Sequence, residues 1–212
     1  MDEAQRGELE GDLRRRLEHD DFEGAATQAV RGYGPEIFAF LLAIHRDEDD
    51  ASEVFSRFAE GLWRGLKGFA GQCSVRTFAY AIARKASLQH RRDKGRRAVR
   101  FARLGEGSTV ADVAEQVRTR TLPYLRTETR SRLAELRDAL SPEDQELLML
   151  RVDRQLAWNE LVQVLRGEDE EPLSPEAQKR EAARLRKRFQ LLKDQLREAA
   201  RREGLLDPDA GG

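Results

Sequence analysis

Cysteine is nearly missing from this chain: Cys73 stands alone among 212 residues. An internal disulfide is therefore excluded, and so is a cluster of thiolate ligands around a metal. A single thiol suits a reducing compartment, and a cytoplasmic location is expected. Histidine is almost as scarce. His19, His45 and His90 are scattered, with none of the short spacings of a metal motif, so no metal and no cofactor is expected. No apolar run approaches the roughly 20 residues needed to span a bilayer. The acidic first residues also lack the apolar stretch of a secretory signal, so membrane insertion is not expected. Period-two alternation is nearly absent, which argues against sheets. Phosphate-cradling loops and nucleophile–base sets are missing too, and an enzyme is not expected.

Charge is what the chain has in quantity. Charged residues make up 36% of it, yet the formal net charge is only −1. The distribution is more informative than the sum. Asp2, Glu3, Glu8, Glu10, Asp12, Glu18, Asp20 and Asp21 outweigh four arginines in the first 21 residues, whereas two later stretches are strongly basic. Segregated charge implies separate surfaces for separate partners.

Helical spacing accounts for most of the apolar residues. Leu9, Leu13 and Leu17 predict a first amphipathic helix. Asp20 or Asp21 is placed to cap a second, over Phe22 to Val30, with Gly32 and Gly34 at its end. Pro35 then suits the first turn of a third helix, apolar nearly all round at Ile37, Phe38, Phe40, Leu41 and Ile44 and so expected at the centre. The acids from Asp47 to Asp50 suit the start of a fourth, whose stripe runs through Val54, Phe55, Phe58, Leu62, Trp63 and Leu66. Gly65 and Gly68 mark its end. A glycine-punctuated loop, Gly68 to Cys73, leads to Ser74 as cap. Val75, Phe78, Ala79, Ile82, Ala83 and Ala86 then line one face of the next helix. Its far end turns basic: nine Lys and Arg between Arg84 and Arg103 stand against Asp93 alone. An aromatic-bearing loop feeding a cationic helix is a pattern suited to nucleic acid, since cations neutralise phosphates and rings stack on unpaired bases. Phe69, Gln72, Lys85, Arg91, Arg92 and Arg96 are the candidates there.

The expected architecture is all-α: two small helical domains, residues 1–100 and 129–203, with a flexible linker at 101–128 and a disordered tail at 204–212. Gly105, Gly107, Ser108 and Pro123 weaken the pattern of the linker, although Val110, Val113 and Val117 suit a short helix. In the second domain Ser141-Pro142-Glu143-Asp144 resembles a capping box. Trp158, Leu161, Val162 and Leu165 carry a shorter helix. Ser174-Pro175-Glu176 opens a last one, rich in Lys and Arg. That order is the outline of a helix-turn-helix, with Lys179, Arg180, Arg184, Arg186, Lys187 and Arg188 as candidate DNA contacts.

Taken together, these elements resemble a bacterial RNA polymerase sigma factor of the short extracytoplasmic-function (ECF, group IV) kind. The residues carrying the likeness are Asp50-Ala51-Ser52-Glu53, Trp63-Arg64-Gly65-Leu66 with Phe69, and the run from Cys73 to Arg84. In the second domain they are Leu140 to Arg151, and Arg184-Leu185 with Leu192. The resemblance implies a protein without catalytic residues that binds core RNA polymerase and directs promoter recognition, melting and initiation. Its further implied partners are promoter DNA and an anti-sigma factor. It places core binding on the fourth helix, at Asp50, Glu53 and Arg57, and expects these side chains on an exposed face. It assigns the minus-ten element to the loop and basic helix, and the minus-thirty-five element to the last helix. The sequence departs from the family where Ser56 and Arg57 replace a Gln-Glu pair, and where Phe78 and Lys85 replace Trp and Asn. Those departures leave room for an alternative: a sigma-like interaction protein that binds polymerase or an anti-sigma factor without initiating.

Overall fold

A computed structural model of the chain describes residues 1–94, 109–126, 136–137, 139–166 and 173–204, without the side chains at 120 and 122–126. These residues form eight helices and, among those described, no strand, so the fold is all-α. They are α1 (Glu3–Glu18), α2 (Phe22–His45), α3 (Glu48–Gly65), α4 (Val75–Lys94), α5 (Thr109–Arg126), α6 (Pro142–Leu148), α7 (Trp158–Arg166) and α8 (Pro175–Arg202). The chain divides into two compact units. One is built on residues 1–127 and takes in 163–170; the other holds 128–162 and 171–212. None of the described helices is long and apolar enough to cross a membrane.

The helix starts follow local chemistry. Asp21 accepts from Gly24 N at 3.0 Å and Asp47 from Asp50 N at 2.8 Å. Ser174 accepts from Ala177 N at 3.2 Å. Such caps contribute about 1 kcal/mol each by satisfying amides that have no intrahelical partner. Ser141 accepts from Asp144 N at 3.2 Å, and its hydroxyl donates to the Asp144 carboxylate at 2.8 Å. The reciprocal bond of the expected box therefore runs to the hydroxyl. Asp2 and Gln5 form a full capping box at α1, which the leucine spacing alone did not reveal.

The first unit is organised around α2, which packs against α1, α3, α4 and α5. Residues 22–45 are one continuous helix with Pro35 inside it, not two helices meeting at Gly32 and Gly34. The glycines are sites of close approach. A side chain at Gly32 would run into Leu9 of α1, and a Cβ at Gly34 would lie 3.0 Å from Val117 of α5 and 3.3 Å from Phe55 of α3. The helix forgoes one hydrogen bond at Pro35 and recovers stability through burial of Ala29, Val30, Tyr33, Ile37, Phe38, Phe40 and Leu41. Edge-on rings extend this core to its neighbours, Phe38 to Phe55 at 5.3 Å and Phe40 to Tyr80 at 5.6 Å.

Within the stretch read as a flexible linker, residues 109–126 form α5, which packs on α2 and α3. Val110, Val113, Ala114 and Val117 are buried. Three valines and an alanine at helical spacing supply an apolar face, and Gly34 makes room for it. Residues 101–108, 127 and 128 lie outside the described residues, as do 205–212 of the expected tail.

In the second unit α6 runs into a single π-type turn, Met149–Asp153, and packs on α8. Leu147, Leu148, Leu150, Leu156, Leu161, Val162 and Leu192 are buried. Trp158 meets Phe189 of α8 edge-on at 5.6 Å.

Candidate functional site

The start of α4 is held by two side chains. Ser74 Oγ accepts from Thr77 N at 3.0 Å, as its position predicts. Glu10 of α1 accepts from Val75 N and Arg76 N, both at 2.9 Å, and from the Tyr33 hydroxyl at 2.7 Å. Phe78 N closes the first turn on Ser74 O at 3.1 Å. All four amides that begin the helix thus have partners, and a carboxylate sits at the positive end of its dipole. Burial, then the hydrogen bond to Glu10, pushes the Tyr33 phenol far up. The buried Arg76 clasps Glu36 of α2 through Nε at 2.7 Å and a terminal nitrogen at 3.0 Å, a bidentate pair that fixes α4 on α2.

This anchoring sets the preceding loop. Gly71 has φ +68°, a left-handed conformation that glycine adopts without strain, and a Cβ there would meet nothing within 4 Å. Gln72 beside it is exposed. Phe69 is half-buried, its ring 4.8 Å from Phe78. At the other end of α4, Arg91 and Arg92 are exposed and Lys85 is half-buried. Arg96 lies outside the described residues.

The three residues predicted to face a partner on α3 are turned toward α4. Arg57 donates to Asp93 at 2.8 Å and to Glu53 at 3.1 Å, and only 16% of its side chain is exposed. Asp50 is 15% exposed, bridged by Lys94 at Oδ2 and 3.1 Å from His90 Nε2 at Oδ1. Partial burial works against its ionisation, but Lys94 and His90 outweigh this and hold its carboxyl below the usual range. The expectation of an open face therefore holds only in part. Glu53, 37% exposed, is the most accessible of the three. The reason is that the last turn of α4 carries opposite charges at the same level and close packing draws the pairs together. Ile82 and Phe78 approach Gly61 and Gly65 to 2.9 and 3.0 Å, measured to a Cβ built there.

His45 at the end of α2 joins this seam. Its Nε2 shares a hydrogen bond of 2.8 Å with Ser87 Oγ, and its ring meets that of His90 edge-on at 5.4 Å. Burial, then the nearby Arg91 charge, brings its pKa down to about 4. Sequence spacing concealed this group because its members come from three helices. One signal was available: His90 continues the apolar stripe of α4 four residues after Ala86, where an imidazole must be buried. It is 3% exposed.

In the second unit Lys179, Arg180, Arg184 and Lys187 of α8 are exposed, and the 3.8 Å contact of Arg184 with Glu181 is weak. Arg186 and Arg188 are more constrained. Arg186 lies over Trp158 at 5.7 Å, sharing that ring with Arg151 at 4.8 Å. Arg188 pairs with Asp144 of α6 at 2.8 Å. The six candidates thus separate into four open cations and two that also hold the unit together.

Residues 29–97 match the model of Sigma-70 region 2, about a third of the chain. The match runs from the middle of α2 through α3 and the glycine loop into α4, and so contains the polar seam, the loop and the basic end of α4. It supports a sigma-factor domain concerned with RNA polymerase binding and promoter recognition. No curated protein and no solved structure matches the chain.

Proposed function

We propose that this protein is a sigma factor of the extracytoplasmic-function kind, which binds core RNA polymerase and directs it to promoters. The observation that carries the reading is the Sigma-70 region 2 match over residues 29–97. In this reading α3 docks on the polymerase, with Glu53 and the accessible edges of Asp50 and Arg57 at the contact. The loop from Phe69 to Cys73 and the cations Lys85, Arg91, Arg92 and Arg96 engage the minus-ten element. The second unit acts as a helix-turn-helix on minus-thirty-five duplex through Lys179, Arg180, Arg184 and Lys187 of α8, joined by Arg186 and Arg188, which also contact Trp158 and Asp144. Core polymerase and promoter DNA are the partners, and the place of action is the cytoplasm.

The internal ion pairs of Asp50 and Arg57, with Ser56 and Arg57 in place of the family's Gln-Glu pair, favour a second reading. In it the protein binds polymerase or an anti-sigma factor without initiating. Co-purification with core polymerase, followed by run-off transcription from a genomic promoter library, separates the two. Specific transcripts establish the first reading; core binding without transcripts establishes the second. Absence of core binding by the folded protein overturns the first. The Asp50→Lys, Glu53→Lys double variant is expected to lose core binding while remaining helical.

A further inference from the structure

We propose that His45, Asp50 and His90 form a binding site for a divalent transition-metal ion, with zinc the ion their donors fit. One ligand atom from each of the three lies within 4.8 Å of the others. His90 is 3% exposed, yet neither ring nitrogen has a hydrogen bond. Its Nε2 stands 3.1 Å from Asp50 Oδ1 without hydrogen-bond geometry. Two ligand atoms about 2.1 Å from one ion and 3.1 Å apart subtend roughly 95°, close to what zinc accepts between neighbouring ligands. Two imidazoles and one carboxylate, with a fourth position left to water, is a donor set zinc takes.

The surrounding groups hold these donors in place. His90 Nδ1 faces Glu53 Oε1 at 3.5 Å, not hydrogen-bonded but on the side where a carboxylate commonly steadies the far nitrogen of a metal-bound histidine. Ser87 fixes the His45 ring through Nε2, and Lys94 takes Asp50 Oδ2, leaving Oδ1 toward His90. An ion here would tie the end of α2, the first turn of α3 and the last turns of α4 together. The inference rests on this geometry alone and stands whether or not the protein starts transcription.

The test is zinc titration of the tag-free, metal-free full chain by calorimetry, with cobalt(II) absorption as a second probe. One ion per chain is expected, with a cobalt visible band of four-coordinate strength and a melting temperature that rises with added zinc. The chain has only three histidines, so His19→Gln is the matched control; it and Cys73→Ser should bind as the parent does. His90→Gln, His45→Gln and Asp50→Asn should each weaken binding by more than about a hundredfold, and Glu53→Gln by about tenfold. If His90→Gln fails to fold, Asp50→Asn at its half-buried position carries the test, with helicity confirmed by circular dichroism. No stoichiometric binding by the parent, unchanged affinity in folded Asp50→Asn and His45→Gln, or loss of binding in Cys73→Ser would overturn the proposal. In the first two cases the cluster is an ion pair and a packed imidazole only.

Discussion

Glu10 shows how much one residue far along the chain decides about the loop that matters. Its carboxylate satisfies two amides of α4 and the Tyr33 hydroxyl, and thereby fixes where the loop ends and the helix begins. Glu10→Ala leaves all three donors without that acceptor in a partly buried place. It is expected to destabilise the first unit by about 2–3 kcal/mol, read as a lower urea midpoint at constant slope. Glu8→Ala, at an exposed position on the same helix, should change stability by less than about 0.5 kcal/mol. If the two behaved alike, the cap would carry no stability. Ser74 was legible as a cap because a cap and its helix adjoin in sequence. Glu10 was not, because it acts across 65 positions, and nothing local marks an acid that will meet a helix end in space.

Among the elements, the stripes of α3, α4 and α7 could be read directly, since apolar periodicity is a local property. Punctuation was less reliable. Gly32, Gly34 and Pro35 look like a helix stop followed by a new start, yet α2 passes through them because Leu9, Val117 and Phe55 need the space that glycine leaves. Tertiary packing overrode the local preference. Pro35 is exposed, so Pro35→Ala should restore a backbone donor at no packing cost and stabilise the domain by about 1–2 kcal/mol in denaturant unfolding. No gain would mean that α2 bends there by design of its neighbours. Similarly, α5 shows only a weak pattern in sequence, because its buried side is small and its partner surface belongs to two other helices. Its amides should exchange slowly in the free protein, at the rate of the first unit's core. Val117→Asp places a carboxylate against Gly34 and Phe55 and should cost about 2–4 kcal/mol, releasing that protection. Fast exchange in the parent would return the segment to the linker it resembles in sequence.

At the scale of the molecule, a net charge of −1 conceals the basic end of α4 and the cations along α8, and DNA would respond to these more than to the sum. Under the proposed function the loop before α4 receives an unpaired base, and its two candidates differ in what the fold already asks of them. Phe69 rests on Phe78, so Phe69→Ala removes packing as well as a stacking surface. Gln72 is exposed beside Gly71, carries both a donor and an acceptor, and makes the cleaner test. Extruding a base costs a few kcal/mol, which the loop must recover by stacking and hydrogen bonding. Gln72→Ala should therefore reduce initiation about tenfold on a duplex promoter and far less on a template already mismatched across the minus-ten element. Core binding should be unchanged in the same preparation. Phe69→Ala should show the same ratio between templates, together with a lower melting temperature. Equal losses on both templates would move the defect away from strand opening. Full activity of both variants on duplex DNA would leave Phe69 as packing and Gln72 as solvent-facing loop, and the melting role would pass to the cations Arg91 and Arg92.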